Sequence, residues 1–203
     1  QNNFEEKLLN FLADKYKFSI CSIIYFRMLL ELDFSSEDII DTFDFTDDSL
    51  NFEIKNTKKE QNIKNYMVFC MEAAYGGKHD ADRRFNEEKY FEIAKEIYDK
   101  FGFNSAFIGI DDCIKLPAVD YIIDFRKKLD FLELAQLMKS SKGYIGNDTG
   151  PLHLANLMKS PSLGIYAREN TIKNYGPIFS NLNTVSLNIP SLDEVNNFCS
   201  KLY

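Results

Sequence analysis

Several patterns that would assign the chain to a common class of protein are missing from its sequence. No apolar run is long enough to cross a membrane. No secretory signal is visible, but the chain starts at Gln1 rather than Met, so its start says nothing about targeting. The cysteines Cys21, Cys70, Cys113 and Cys199 are far apart and form neither a CxxC pair nor a zinc-ligand spacing. We therefore expect a protein of the reducing cytoplasm, in which Cys70, within an apolar run, is a buried thiol.

An excess of positive charge is missing as well. The 203 residues carry 24 Lys and Arg against 31 Asp and Glu, a net charge of −7, whereas general nucleic-acid binders are usually basic. We therefore expect no nucleic-acid partner. The common phosphate-binding motifs, GxxxxGK followed by Ser or Thr and GxGxxG, do not occur. Hydrophobic residues are plentiful, at 45% of the chain, which is enough to form a sizeable core.

The composition of the chain changes near residue 60. Residues 1–60 contain two apolar segments of helical character, 4–11 and 19–32, followed by an acidic stretch and a polar stretch typical of an exposed connection. We expect residues 1–60 to be the end of an N-terminal domain with an interdomain connection. Residues 61–203 then form a single α/β domain.

Short apolar runs alternate with segments of helical period in residues 61–203. The predicted strands are 66–71, 105–110, 121–123, 144–145, 163–166 and 185–187. The predicted helices are 86–101, one that begins at Asp130, 151–158 and a closing helix over 191–202. This alternation predicts a Rossmann-like parallel sheet with flanking helices, and a ligand beyond the carboxyl ends of the strands.

The stretch GYIGNDTGPLHLA, residues 143–155, places polar residues between two apolar runs. A helix that begins at Pro151 leaves backbone N–H groups free at the carboxyl edge of the sheet, which is a ready site for an anion. Gly150 would let a phosphate approach the backbone, Thr149 could cap the helix or donate to the phosphate, and His153 lies near the same spot. The alternative stays open that these polar residues only cap the helix and that the histidine is only a packed side chain.

A second loop, AAYGGKHDADRRF at residues 73–85, follows the first predicted strand. It contains glycine, it is basic, and it leads into a helix. Arg83 and Arg84 could neutralise a diphosphate through their forked donors. The two histidines of the chain, His79 and His153, fall in these two loops. The alternative is an exposed basic turn that is balanced by its own aspartates.

Together the two loops resemble the C-terminal domain of the ADP-heptose:lipopolysaccharide heptosyltransferase family, glycosyltransferase family nine. Residues 148–155, DTGPLHLA, match the family's Asp-Ser/Thr-Gly-x-x-His-x-Ala segment in full, and RRFN at 83–86 stands where the family has Lys-x-Trp-Pro. The resemblance covers residues 62–180. The chain departs from the family after the next strand, where YARENT at 166–171 replaces Gly-Pro-Thr.

This resemblance implies the C-terminal, donor-binding half of a GT-B glycosyltransferase. Arg83 would contact the diphosphate, Asp112 or Asp111 the ribose, and Asp148 and His153 the sugar–phosphate region. The donor-binding residues that it implies are Lys78, Arg83, Asp112, Asp148, Thr149, Gly150, Pro151 and His153.

The implied reaction is transfer of a sugar, heptose from ADP-heptose, to lipopolysaccharide or a related glycan or glycolipid, with no metal and no cofactor. The catalytic base is expected outside this chain, so we expect no transfer by the chain alone. The implied location is the cytoplasm, in peripheral contact with the inner face of a bacterial inner membrane. Two alternatives stay open: a non-catalytic or decayed nucleotide-sugar-binding module, and a structural domain whose loops bind nothing.

Overall fold

A six-stranded parallel sheet with helices on both faces forms the part of the chain that this computed structural model describes, residues 20–34, 63–72, 85–177 and 182–202. The strands are β1 (Tyr66–Cys70), β2 (Asn104–Phe107), β3 (Ile122–Asp124), β4 (Gly143–Asn147), β5 (Ser162–Tyr166) and β6 (Asn183–Leu187). The helices are α1 (Ile20–Glu31), α2 (Glu87–Phe101), α3 (Phe131–Ser140), α4 (Gly150–Leu157), α5 (Glu169–Tyr175) and α6 (Leu192–Cys199), and a short 3-10 helix (Ser200–Leu202) follows.

The strand order across the sheet is β3-β2-β1-β4-β5-β6, and every neighbouring pair is parallel. β1 lies in the middle, where Val68 is opposite Ala106 of β2 and Tyr144 of β4. The chain builds outward from β1 to β3, then returns to add β4 on the other side of β1. This is the order of a doubly wound nucleotide-binding sheet, so the predicted Rossmann-like fold is confirmed.

The sheet separates two apolar layers. Every residue of β1, β4 and β5 is buried, as expected of parallel strands that are covered on both faces. Val68 and Tyr144 face a layer with α1, α3, α4 and α5, whereas Phe69 and Ile145 face a layer with α2 and α6. The predicted burial of the Cys70 thiol is also confirmed, since the residue is 2% exposed and burial raises its pKa to about 11.

Several helix boundaries lie where their sequence signals predict. Asp130 and Glu133 form a capping box at the start of α3, with hydrogen bonds of 2.8 and 2.9 Å. Ser191 and Glu194 form a second one at the start of α6. Gly102 ends α2 in the left-handed conformation at φ 67°, which glycine adopts without the steric penalty of a Cβ atom.

The structure differs from the sequence expectation in several places. The predicted strand over 105–110 ends at Phe107, and the one over 185–187 begins at Asn183. α5 occupies residues 169–175, where the sequence indicates only a loop, because ENTIKNY has no clear apolar period. Ile172 and Tyr175 of this helix nevertheless pack against the core. α4 begins at Gly150, so Pro151 is its second residue rather than its first. Proline fits there equally well, since the first N–H groups of a helix have no partner within it.

Most of residues 1–60, including the predicted helix over 4–11, lie outside the described residues. The predicted helix over 19–32 corresponds to α1. The division of the chain near residue 60 stays a prediction. Among the helices that the structure describes, none combines the length and the apolarity needed to cross a membrane.

Candidate functional site

The loops after β1 and β4 start from neighbouring points on the carboxyl edge of the sheet. Cys70, the last residue of β1, is opposite Gly146 of β4. The strand order reverses between these two strands, so the connections that leave them cover opposite faces of the sheet. In doubly wound sheets the resulting crevice is where nucleotides bind. The topology therefore brings the turn at 148–150 next to Glu72, where the described part of the β1 loop ends.

The side chain of Asn147 ties these two strand ends together. It is fully buried at the end of β4, and its Nδ2 donates to the carbonyl oxygens of Met71 at 2.8 Å and Glu72 at 3.3 Å. Its Oδ1 accepts a hydrogen bond from the Tyr90 hydroxyl on α2. The beginning of the β1 loop is thus fixed to the residue that directly precedes the turn at 148–150.

That turn leaves its backbone open. Thr149 is the N-cap of α4 but makes no side-chain capping bond, and its Oγ1 instead donates to the Asn147 carbonyl at 3.3 Å. Gly150 is exposed, and a Cβ atom built on it would meet nothing within 4 Å. Among the described residues, no backbone carbonyl accepts a hydrogen bond from the Gly150 amide. An open amide at a helix start, where the helix dipole is positive, suits an anion.

Asp148 and His153 are covered by protein, with 5% and 4% of their surfaces exposed. The His153 Nε2 lies 3.8 Å from the Asp148 Oδ1, and the Tyr25 ring of α1 packs edge-on to the imidazole at 6.0 Å between ring centroids. Burial lowers the pKa of His153 to about 4, so the imidazole is neutral at pH 7 and the contact is not an ion pair. The roles of both residues toward a sugar–phosphate stay predictions, on side chains that are not exposed.

The loop after β2 carries the predicted ribose carboxylates. Asp112 is exposed and pairs with Lys127 at 2.7 Å, and this hydrogen bond holds the pKa of the Asp112 carboxyl below its usual value. The Oδ1 of Asp111 accepts a hydrogen bond of 2.9 Å from the Cys113 backbone N–H. Potential metal-ligand atoms of these three consecutive residues lie within 4.8 Å of one another. The ribose contact of either aspartate stays a prediction.

A cleft of about 440 Å³ lies beside Asp112, within the range of small-molecule sites. Arg126 forms part of its wall and is itself nearly buried, donating from Nε and Nη2 to the two carboxylate oxygens of Asp124, both at 2.9 Å. The same pairing keeps the pKa of Asp124 low. The Arg126 guanidinium is therefore held in the wall of the cleft by its ion pair with Asp124.

Lys78 and Arg83 lie outside the described residues. They fall between Glu72 and Phe85, the nearest described positions on either side. Their contact with a diphosphate stays a prediction.

A family model described as glycosyltransferase family 9 (heptosyltransferase) matches residues 29–202. The chain belongs to glycosyltransferase family 9. No curated protein matches this family 9 chain.

Solved structures share the fold of this family 9 chain. ADP-heptose LPS heptosyltransferase II from E. coli is 17% identical, with a TM-score of 0.55 over 70% of this chain and 48% of that chain. The glycosyl transferase family 9 protein from Veillonella parvula is 16% identical, with a TM-score of 0.51 over 68% and 46%. E. coli heptosyltransferase WaaC with ADP is 17% identical, with a TM-score of 0.52 over 69% and 45%. The chain thus spans about half the length of these structures, and identities this low establish the fold alone.

The sequence alone does not indicate that Asn147, Glu72 or Tyr90 belongs to the site. The one available signal is an asparagine at the end of an otherwise apolar strand, because a buried amide needs partners for its two donors and its acceptor. The partners of Asn147 cannot be identified from this signal. Glu72 is 75 residues away in sequence and Tyr90 is 57 residues away, and only the order of the strands brings them close.

Proposed function

We propose that this family 9 chain binds the pyrophosphate of a nucleotide sugar in the crevice between the ends of β1 and β4. The observation that supports this most is the open Gly150 amide, at the start of α4 and next to the point where strand order reverses. Thr149 and Gly150 would hold the phosphates through their backbone amides and the Thr149 hydroxyl, and Pro151, which has no N–H, would fix the start of α4. Arg83 and Lys78 would supply positive charge from the β1 loop.

The donor that we propose is ADP-heptose. E. coli WaaC has been solved with ADP and with ADP-2-deoxy-2-fluoro heptose, and the loop after β2 offers Asp112 to the ribose. The acceptor that we propose is lipopolysaccharide or a related glycan. That acceptor would place the protein in the cytoplasm, in peripheral contact with the inner membrane.

The reaction would be a direct displacement. An acceptor hydroxyl attacks the anomeric carbon of the sugar, a new carbon–oxygen bond forms, and the bond to the diphosphate oxygen breaks. The leaving diphosphate gains negative charge, which backbone amides and a guanidinium stabilise when they are fixed in place beforehand. The hydroxyl proton passes to a base that we place outside this chain. Because arginine can neutralise the charge, we propose that no metal takes part.

Calorimetry of the full chain with ADP, UDP and GDP tests the nucleotide site. We expect ADP to bind, and we expect Arg83→Ala to weaken binding about tenfold, the usual loss for one charge-assisted hydrogen bond. Lys95→Ala is the control, because Lys95 is an exposed cation on α2 that pairs with Asp99. Equal ADP affinity in the parent and in Arg83→Ala would contradict the phosphate role, and the absence of heat with all three nucleotides would contradict the site as a whole.

A second candidate is a nucleotide-sugar-binding module that performs no transfer. The burial of Asp148 and His153 favours it, because neither side chain is exposed to a sugar. The two candidates differ in a transfer assay with ADP-heptose and a lipopolysaccharide acceptor, in which the chain is joined to the N-terminal half of a family 9 relative. Transfer of heptose supports the enzyme, whereas ADP binding without any transfer supports the module.

A further inference from the structure

The carboxylate of Glu72 occupies a site formed by the loop after β2. Its Oε2 accepts a hydrogen bond from the Ile110 backbone N–H and its Oε1 accepts one from the Asp111 backbone N–H, each with an N···O distance of 2.8 Å. Hydrogen bonds to a charged acceptor are stronger than those between neutral groups. Glu72 follows β1, so the two bonds hold the end of one strand against the loop of the neighbouring strand.

Gly109 makes room for this carboxylate. Its φ is +156°, and a Cβ atom on it would lie 2.0 Å from the Glu72 Oε1 and 2.4 Å from the carboxyl carbon. A side chain at position 109 would therefore displace the carboxylate from the two amides. The loop after β2 is built around Glu72, and the contact can be broken from either side.

Glu72 is also joined to β4. Its carbonyl oxygen accepts from the Asn147 Nδ2 at 3.3 Å, and Asn147 directly precedes the turn at 148–150. One residue thus connects the ends of β1, β2 and β4, and its side chain sets the separation between the loop after β2 and the proposed phosphate turn.

We propose that Glu72 is a positioning residue that holds the loop after β2 in place for the nucleoside part of the donor. In doubly wound sheets the pyrophosphate lies at a helix start and an acidic residue of another loop at the carboxyl edge contacts the ribose. Here the proposed phosphate turn follows β4 and the proposed ribose aspartates follow β2, so one nucleotide needs both loops at a fixed separation. This inference rests on the proposed function, because it concerns the same nucleotide. Glu72 therefore supports binding of the nucleoside and is not needed for binding of pyrophosphate.

The experiment compares ADP with inorganic pyrophosphate by calorimetry on the full chain and on Glu72→Gln. The glutamine amide would direct a donor at one of the two backbone N–H groups, so at least one hydrogen bond is lost. We expect ADP affinity to fall about tenfold and pyrophosphate affinity to change by less than about twofold. Glu92→Gln, an exposed carboxylate on α2 that pairs with Lys89, should leave both affinities unchanged.

Gly109→Ala breaks the same contact from the other side and should give the same split. Because Gly109 has φ +156°, which residues with a side chain rarely adopt, Gly109→Ala also strains the loop backbone, so its ADP affinity should fall at least as far as that of Glu72→Gln. Hydrogen exchange should become faster at the amides of Ile110 and Asp111 in each variant and stay unchanged in β4.

Three outcomes of this experiment would be adverse. If Glu72→Gln weakens the affinity for ADP and for pyrophosphate equally, Glu72 only supports the fold. If the variant binds both ligands as tightly as the parent, Glu72 has no role in binding. Either result overturns the inference while the nucleotide site stands. A parent protein that binds neither ligand contradicts the proposed function and removes this inference with it.

Discussion

The Nδ2 of Asn147 donates a hydrogen bond of 2.8 Å to the carbonyl oxygen of Met71, across 76 residues of sequence. This bond joins the end of β4 to the end of β1 at the point where the strand order reverses. The Tyr90 hydroxyl donates a hydrogen bond to the Oδ1 of the same side chain. The two loops proposed to hold a pyrophosphate therefore start from a shared, buried polar link.

Substitution of Asn147 should be costly for stability. Asn147→Ala leaves the Met71 carbonyl and the Tyr90 hydroxyl unpaired in the core, and we expect a loss of about 3 kcal/mol in the free energy of unfolding. Tyr90→Phe removes only the hydroxyl and should lose about 1 to 2 kcal/mol. Urea denaturation measures both values. A loss for Asn147→Ala no larger than that for Tyr90→Phe would show that the bond to Met71 contributes little.

Stability should fall on acidification because His153 is buried and neutral. Its pKa is about 4 in the folded chain, against an ordinary value of 6.5, so below pH 6.5 the unfolded chain takes up a proton that the folded chain does not. The His153 contribution is complete above pH 6.5, falls between pH 6.5 and about 4, and then levels off, with a total loss of up to about 3 kcal/mol.

The measurement is urea denaturation of the parent and of His153→Gln at a series of pH values from 8 to 4. The difference between the two curves isolates His153 from the carboxylates, which also titrate in the lower part of this range. We expect the parent to lose more stability than the variant as the pH falls. Parallel curves would mean that the pKa of His153 does not change on folding.

Local sequence patterns were sufficient for much of the fold. The capping boxes at Asp130 and Ser191 and the left-handed Gly102 were predictable, because each depends on residues within a few positions. The runs of apolar residues identified the buried strands for the same reason. Alternation of strand and helix then predicted a parallel sheet, which is confirmed, and a site at its carboxyl edge, which stays a prediction.

What the sequence could not predict depends on distant partners. α5 has a mostly polar sequence that does not indicate a helix. Its residues Ile172 and Tyr175 pack against the core, which is a contact with distant parts of the chain. The burial of His153 beneath Tyr25 needs α1, which lies more than a hundred positions earlier in the chain. The carboxylate of Glu72 could not be placed either, because its two partners belong to the next strand's loop. Each of these contacts exists only once the sheet has been assembled.

A pair of glycine substitutions separates a binding role from a structural one. Gly150 begins α4 in open space, so Gly150→Ala should keep the stability of the parent. Its methyl group would instead occupy space that we assign to the approaching phosphate. Gly102 has φ 67° and precedes β2, at the opposite edge of the sheet. Gly102→Ala should therefore destabilise the fold by about 1 kcal/mol without affecting a ligand at the carboxyl edge.

Calorimetric titration of ADP into the parent, Gly150→Ala and Gly102→Ala is the most direct test of the proposal that the turn before Leu152 binds a pyrophosphate. We predict that Gly150→Ala binds ADP at least about tenfold more weakly than the parent, and that Gly102→Ala binds it as tightly as the parent. Unchanged ADP affinity in a folded Gly150→Ala protein would contradict the account.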